Sequence, residues 1–306
     1  MSSAVDSPIG FIGLGNMGWL MARNLHQAGR ALVVHDLDGQ RTARFVDEFG
    51  GVAAAGPADF APVGVLITML PDGRAVAQAL LDGGAAAALR TGAVVVDMSS
   101  SNPIDTRALG PKLADLGVAL VDAPVSGGIA RADSGELTLM VGGDDDAAIG
   151  RAEPVLEVLG ARIFRTGQLG SGHAMKALNN FCGAAAYTAL AEALAIGQQF
   201  GLSGEVMIDV IDSSTGRSFN SEVVFKHEVL PGRYATNFAL ALLTKDVGIA
   251  ASLAEASELE TPVCALVSQR WSQALEALGQ GRDHSEAHKG WWDVVLASAG
   301  DGADPS

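Results

Sequence analysis

The sequence predicts an α/β N-terminal domain with an open parallel sheet, residues 1–169, and an all-α C-terminal domain, residues 170–306, joined by a long helix. Three observations predict it. The chain has 306 residues, a length for about two domains of ordinary size. Short apolar runs alternate with helical patterns up to Gly167, and from Ser171 the period turns helical and stays so. The composition is 48% hydrophobic but only 5% aromatic, with 38 glycines, which suits α/β layers and closely packed small-residue helices better than an all-β fold.

In order along the chain, Met1 to Ser7 reads as a polar leader, and Ile9 to Ile12 as a strand. Gly13-Leu14-Gly15-Asn16-Met17-Gly18 follows at once, then an amphipathic pattern through Leu20, Met21 and Leu25 that stops at Gly29. Strand, glycine turn and helix form the setting of a dinucleotide fingerprint. The first glycine permits the tight turn, the second lets backbone N–H groups approach a pyrophosphate, and the third lets the helix pack against the strand. The helix start then faces the anion. A second strand, Ala31 to Val34, ends at His35-Asp36. Asp36 lies 18 residues past Gly18, near the spacing of about 20 expected for an acid that binds the ribose hydroxyls. Such an acid repels a 2′-phosphate, so NAD is expected over NADP. Arg41, close by, offers a cation to that phosphate and softens the preference.

Gly64 to Met69 is a strand ending at Leu70-Pro71-Asp72-Gly73. Ala93 to Asp97 ends at Met98-Ser99-Ser100-Ser101, and Val118 to Asp122 ends at Ala123-Pro124-Val125-Ser126-Gly127-Gly128. Ligands of an open parallel sheet sit beyond the carboxyl ends of its strands, so these ends are the candidate floor of a site. Asn102-Pro103 is an N-cap with proline in the first turn. The Ser126 hydroxyl and the N–H groups of Gly127 and Gly128 can form a concave donor set for a carboxylate, and an ordinary glycine turn has the same residues. Asp144, Asp145 and Asp146 point in different directions along the chain, so helix capping is expected there rather than a metal site. Leu137 to Val141 and Ala161 to Arg165 are the last strands.

The second half opens on Gly170-Ser171-Gly172-His173-Ala174-Met175-Lys176-Ala177-Leu178-Asn179-Asn180, the start of a helix that can run to Gln199. Lys176 and Asn180 are four residues apart and share one helical face, where both can reach one small polar group. A reaction is expected where the two halves of the chain meet. His173, close to Lys176, reads as a site residue or, from its helix-start position, at least as readily as a polar, half-exposed one. Further helical patterns cover Glu205 to Ile211, Leu240 to Leu253 and Pro262 to Leu278, around an irregular polar stretch from Asp212 to Asn237. Lys245 precedes Asp246 within a helical pattern, where a solvated lysine is the usual outcome. His284 and His288 are spaced i,i+4, but Ser285 follows His284, so the metalloprotease pattern fails and no metal is expected. A short Gly300 to Ser306 tail closes the chain.

A formal net charge of −15 argues against nucleic acid or an anionic membrane as partner. Cys182 and Cys264, both among apolar neighbours, read as buried thiols in a reducing compartment, and a cytoplasmic location is expected. No signal peptide or membrane span is apparent.

Taken together, these residues resemble the β-hydroxyacid dehydrogenases, the family of 3-hydroxyisobutyrate dehydrogenase and tartronate semialdehyde reductase. The matching motifs are Gly10-Phe11-Ile12-Gly13-Leu14-Gly15-Asn16-Met17-Gly18, Asp122 through Gly128, Gly170 through Asn180, and Lys245-Asp246. Met69-Leu70-Pro71 and Asp97-Met98-Ser99 add weaker matches, and nearly the whole chain is covered. The resemblance implies a Rossmann-type first domain and a helical domain that serves substrate binding and oligomerisation, as a homodimer or homotetramer. It implies Lys176 as general acid/base, Asn180 positioning the substrate, and Ser126, Gly127, Gly128 and Lys245 around a small carboxylate substrate. Asp246 would hold local structure. Gly13, Leu14, Gly15, Asn16, Met17, Asp36, Leu70, Pro71, Ser99 and Lys245 would surround NAD.

The implied reaction is oxidation of a 3-hydroxy carboxylate to its semialdehyde, or the reverse. Alternatives are an NADP-dependent semialdehyde or imine reductase on the same fold, and a catalytically silent NAD-binding interaction protein. Gly216-Arg217-Ser218-Phe219 departs from the family's Gly-Arg-Ser-Trp, and Ser99-Ser100-Ser101-Asn102-Pro103 from its Ser-Thr-Ile-Ser-Pro. The choice of substrate is expected to depend on Ser99, Ser100, Arg217, Phe219 and Phe238.

Overall fold

The computed structural model describes residues 7–292, so most of the expected leader and the Gly300 to Ser306 tail lie outside the described residues. Two compact units are present, one up to Lys176 and the other from Ala177. The division falls inside a single helix.

The first unit is built on a nine-stranded sheet. Its elements are β1 (Ile9–Ile12), α1 (Asn16–Gln27), β2 (Leu32–His35), α2 (Gly39–Phe49), β3 (Val52–Ala53), β4 (Val65–Thr68), α3 (Gly73–Ala77), α4 (Ala85–Ala88), β5 (Val94–Asp97), α5 (Pro103–Ala114), β6 (Ala119–Asp122), β7 (Val125–Ser126), α6 (Gly128–Ser134), β8 (Leu137–Gly142), α7 (Asp146–Leu159) and β9 (Gly160–Gly167). The order is β3-β2-β1-β4-β5-β6-β8-β7, with β9 on β8. β1 to β6 run parallel, in register from Ile12↔Thr68 through Thr68↔Asp97 to Asp97↔Asp122. β8 runs antiparallel to β6 and β7, a direction that the sequence reading of an open parallel sheet left unassigned. Only the seven-residue α6 joins β7 to β8, too short for the usual parallel crossover.

Strand alternation divides the apolar side chains between two faces. Phe11, Val34, Ile67, Val96 and Val121 join Met21 and Leu25 of α1 and Leu156 of α7. Ile12, Val33, Leu66, Val95 and Leu120 join Val76, Leu109 and Leu113. The expected caps are in place. Asn102 Oδ1 accepts from Ile104 N–H at 2.9 Å, and Asp145 Oδ1 from Ala147 N–H at 2.8 Å.

Helix α8 (Ser171–Gln199) starts in the first unit and continues into the second. There α9 (Gly204–Asp212), α10 (Leu240–Ala256) and α11 (Pro262–Leu278) pack with it around Tyr187, Leu194, Phe225, Leu240, Val247 and Trp271. Small residues on α8 admit close neighbours: a Cβ on Gly197 would come within 2.3 Å of Met207 Sδ. The stretch read as irregular contains a π-helical segment, Asn220–Val229, because Val224, Phe225 and Val229 supply a buried apolar face. Cys264 is buried as expected, but Cys182 is exposed, since Ala184 and Tyr187 take the core side of that turn.

Candidate active site

The glycine turn lies at the carboxyl end of β1, and its three glycines have three different surroundings. Gly13 has φ +101°, and a Cβ there would stand 2.3 Å from Met69 O. A Cβ on Gly18 would stand 1.9 Å from Gly13 O, so helix and turn meet at backbone contact. A Cβ on Gly15 would meet nothing within 4 Å. Packing therefore demands the first and third glycines, while the second leaves open space at the start of α1. No side chain caps that helix, and its first turn holds no acid. Exposed N–H groups and the positive end of a 12-residue helix facing open space fit a pyrophosphate. Leu14 is buried, so it would meet a cofactor through its backbone, whereas Asn16 is exposed and Met17 half-buried.

Asp36 follows β2 and is tied to this turn. Its Oδ2 accepts from Leu14 N–H at 2.7 Å and its Oδ1 from Asp38 N–H at 2.9 Å. Arg41 Nη1 lies 3.6 Å from the same Oδ2. The acid is thus fixed beside the glycine turn, and the nearby cation is engaged by it. Leu70 also flanks the turn, because a Cβ on Gly13 would stand 2.9 Å from Leu70 Cδ2. Pro71 next to it is exposed. Ser99 is fully buried and its Oγ accepts from Leu70 N–H at 2.9 Å, so this hydroxyl is engaged within the protein.

Ser126 pairs with Thr138 across β7 and β8, and two left-handed glycines follow, Gly127 at φ +134° and Gly128 at φ +65°. A Cβ on Gly127 would stand 2.7 Å from the Arg131 stem, while one on Gly128 would meet nothing within 4 Å. Packing therefore holds Gly127 against Arg131, while the turn is open on the Gly128 side.

Sequence reasoning placed Asp97 and Asp122 at strand ends but missed what they do. Asp97 Oδ1 accepts from Thr68 Oγ1 at 2.9 Å and from Ser99 N–H at 3.0 Å, and Oδ2 accepts from Ser101 Oγ at 2.7 Å. Asp122 accepts from Gly170 N–H at 2.7 Å and from His173 N–H at 2.8 Å, which holds the first turn of α8. His173 is 1% exposed rather than half-exposed. It lies among these carboxylates and Thr106, so helix-start position alone misjudged it. Polar residues closing adjacent β-strands were the available signal.

On α8, Lys176 is half-buried and Asn180 buried. Asn180 Nδ2 donates to Asp246 Oδ2 at 2.6 Å, and Asp246 Oδ1 lies 3.2 Å from Lys245 Nζ. Lys245 is accordingly no solvated surface lysine: its side chain is 27% exposed and ion-paired. Arg217 pairs with Glu222 at 2.6 Å, Phe219 is exposed, and Phe238 packs edge-on to His284. His284 and His288 are buried in aromatic surroundings. Among the described residues no three His, Cys, Asp or Glu side chains gather as a metal site, and no helix is long and apolar enough to cross a membrane.

A parallel β3-β2-β1-β4-β5-β6 sheet, a glycine turn open at its second glycine, and a fixed acid after β2 define a dinucleotide-binding protein. Comparison with known proteins carries this further. Residues 8–167 match the NAD-binding domain model of 6-phosphogluconate dehydrogenase, and residues 170–291 match the NAD-binding model of NADP-dependent 3-hydroxyisobutyrate dehydrogenase. The chain is 35% identical over 296 residues to 2-(hydroxymethyl)glutarate dehydrogenase of Eubacterium barkeri, covering 96% of this chain and 98% of that one. It is 36% identical over 290 residues to NAD-dependent L-serine dehydrogenase of Pseudomonas aeruginosa, covering 92% and 96%. Among solved structures, Mycobacterium tuberculosis 3-hydroxyisobutyrate dehydrogenase with L-serine superposes with a TM-score of 0.85 at 30% identity, over 92% of this chain and 98% of that one. Psf3 in complex with NADP+ and 2-OPP superposes at 0.79 with 27% identity, over 93% and 100%. The chain belongs to the β-hydroxyacid dehydrogenase family. It is an NAD(P)-binding hydroxyacid dehydrogenase.

Proposed function

We propose that the protein oxidises a small 3-hydroxy carboxylate to its semialdehyde, or reduces the semialdehyde, with NAD and with Lys176 as general acid/base. The observation that carries this reading is the clamp on Asn180. Its amide donates to buried Asp246, which also pairs with Lys245, so two of the family's separated motifs are bonded to one another. One Nδ2 hydrogen goes to Asp246, and the second remains for a substrate oxygen. Lys176, one turn earlier on α8, takes the hydroxyl proton at Nζ and returns it in the reverse direction. The Ser126 hydroxyl and the Gly127 and Gly128 N–H groups bind the carboxylate. A bound nicotinamide supplies the hydride acceptor. The open face of Gly15 and the uncapped start of α1 favour its pyrophosphate, and the carboxylate of Asp36 favours a ribose with free hydroxyls over a 2′-phosphate. The E. barkeri and P. aeruginosa relatives are named for a hydroxymethyl dicarboxylate and for serine, and both molecules carry a hydroxymethyl group one carbon from a carboxylate.

Residues 1–169 form the cofactor domain in this reading, and residues 170–306 the substrate and oligomerisation domain of a cytoplasmic homodimer or homotetramer. The exposed Ile196, Phe200, Val206 and Val210 of α8, α9 and the turn between them support the last point.

Initial rates with NAD and with NADP across serine, 3-hydroxyisobutyrate, glycerate, threonate and 3-hydroxypropionate test the reading. Lys176→Ala is expected to lower turnover by roughly 10²- to 10⁴-fold while NADH affinity, read by fluorescence titration, is retained. Retained turnover would sink the assignment of Lys176.

A further inference from the structure

Lys176 stands on the second turn of α8, and a buried polar cluster that the proposed chemistry does not use fixes the first. The His173 side chain is 0% exposed. Thr106 Oγ1 donates its proton to Asn102 O at 3.1 Å, since a carbonyl can only accept. The Thr106 oxygen is then an acceptor, and His173 Nδ1–H donates to it at 2.9 Å. Nε2 stands 3.6 Å from Asp97 Oδ2 and makes no hydrogen bond. Nδ1 stands 3.9 Å from Asp122 Oδ2, whose carboxylate accepts from the backbone of Gly170 and His173. One ring therefore touches α5 and the carboxyl ends of β5 and β6.

The turn it sits on has no slack. A Cβ on Gly172 would stand 2.1 Å from Met140 O, and one on Gly170 2.9 Å from Pro103 O. An apolar side chain would leave no buried polar atom without a partner, but it could not donate to Thr106. What the imidazole adds here is the Nδ1–H bond that ties the first turn of α8 to α5. Three residues along a helix advance about 4.5 Å, so Lys176 leaves α8 directly after the clamped turn.

We infer that His173 is a positioning residue for the reaction. By locking the first turn of α8 to Thr106 and the two strand-end carboxylates, it sets the direction in which Lys176 reaches the substrate oxygen. This inference rests on Lys176 being the acid/base group. A displacement of about 1 Å at a reacting group can cost roughly 10²-fold in rate, so the clamp has an effect that kinetics can read.

The test uses the full chain with H173L, H173N, T106V and K176A. Measured are kcat, KM, NADH affinity by fluorescence, melting temperature, and the isotope effect for substrate deuterated at the hydroxyl-bearing carbon. H173L is expected to lower kcat by roughly 10- to 100-fold with NADH affinity kept, and to raise the isotope effect on kcat as chemistry becomes slow. H173N is expected to restore most of kcat, because the asparagine amide N–H stands where Nδ1–H stood. T106V should reproduce H173L, and the two together should cost no more than either alone. If H173L does not fold, T106V and H173N carry the same comparison. Unchanged kcat in H173L or T106V overturns the inference. So does an H173N variant that recovers melting temperature but not kcat. If K176A keeps turnover, the assignment of Lys176 fails and this inference with it. If K176A is inactive and H173L fully active, this inference alone fails.

Discussion

His173 in the first unit and His288 in the second each place Nδ1 2.9 Å from a hydroxyl, and each leaves Nε2 without a hydrogen bond. Their surroundings differ. The His173 ring lies between two carboxylates, with Thr106 as its hydroxyl partner. The His288 ring lies against aromatic side chains, with Tyr187 as partner, the Tyr234 ring 6.0 Å away and Lys289 next in sequence. Burial, reinforced by the Lys289 charge and only partly opposed by Ser285 and Glu286, pushes the His288 imidazole down to about 4. Similar wiring therefore serves two ends. Among aromatics the histidine is a neutral core residue, and among carboxylates at a helix start it is a link between chain segments. What distinguishes them is the company of the ring.

The largest test of this contrast is Asp122→Ala. It removes the acceptor of two backbone N–H groups at the start of α8, and the expected loss is about 3–5 kcal/mol in the first unit. Faster amide exchange in β5 and β6 would register it, and unchanged exchange there would break the contrast on the first-unit side.

Acid comes next. His288 has a lower proton affinity folded than unfolded, so between pH 6.5 and 4 the unfolded chain binds more protons, and stability falls as pH falls. Its contribution of about 3 kcal/mol is fully present above pH 6.5 and lost by pH 4. His284, also lowered by burial against an opposing Asp283, adds in the same direction. Denaturant midpoints of the wild type and H288L across that range should converge at low pH, and parallel curves would count against a neutral core histidine.

The smallest effect expected is from Tyr187→Phe, about 1–2 kcal/mol. Tyr187 donates to Ser285 O at 2.7 Å and accepts from His288, and burial raises its own pKa well above 10. Thermal melts of the variant, unchanged in NADH affinity, would sharpen the distinction between core and site.

The strands of the sheet and the glycine turn were legible because both follow from local chemistry. Four-residue apolar runs closed by glycine or polar residues read as buried strands, and Gly13, Gly15 and Gly18 are spaced for a turn into a helix. The Lys176 and Asn180 spacing was legible because helical period is a sequence property. Less was legible where a partner comes from far along the chain. Nothing near Asn180 announces Asp246, 66 residues on, and nothing near His173 announces Thr106, 67 residues back. The antiparallel β8 depends on how short α6 turns out to be. The π-helical Asn220–Val229 segment was obscured by the glycines, Arg217 and Pro231 around it, although Val224, Phe225 and Val229 carry its buried face.

Asp36 has one more consequence, for anyone wishing to re-engineer the cofactor preference. The carboxylate that would discriminate between cofactors is also the acceptor that fastens Leu14 N–H in the glycine turn. Selector and fastening share one carboxylate. Removing the acid to admit a 2′-phosphate would therefore loosen the loop meant to receive the same molecule, and a neutral replacement with an acceptor at that distance, such as asparagine, is the retrofit that keeps the loop shut.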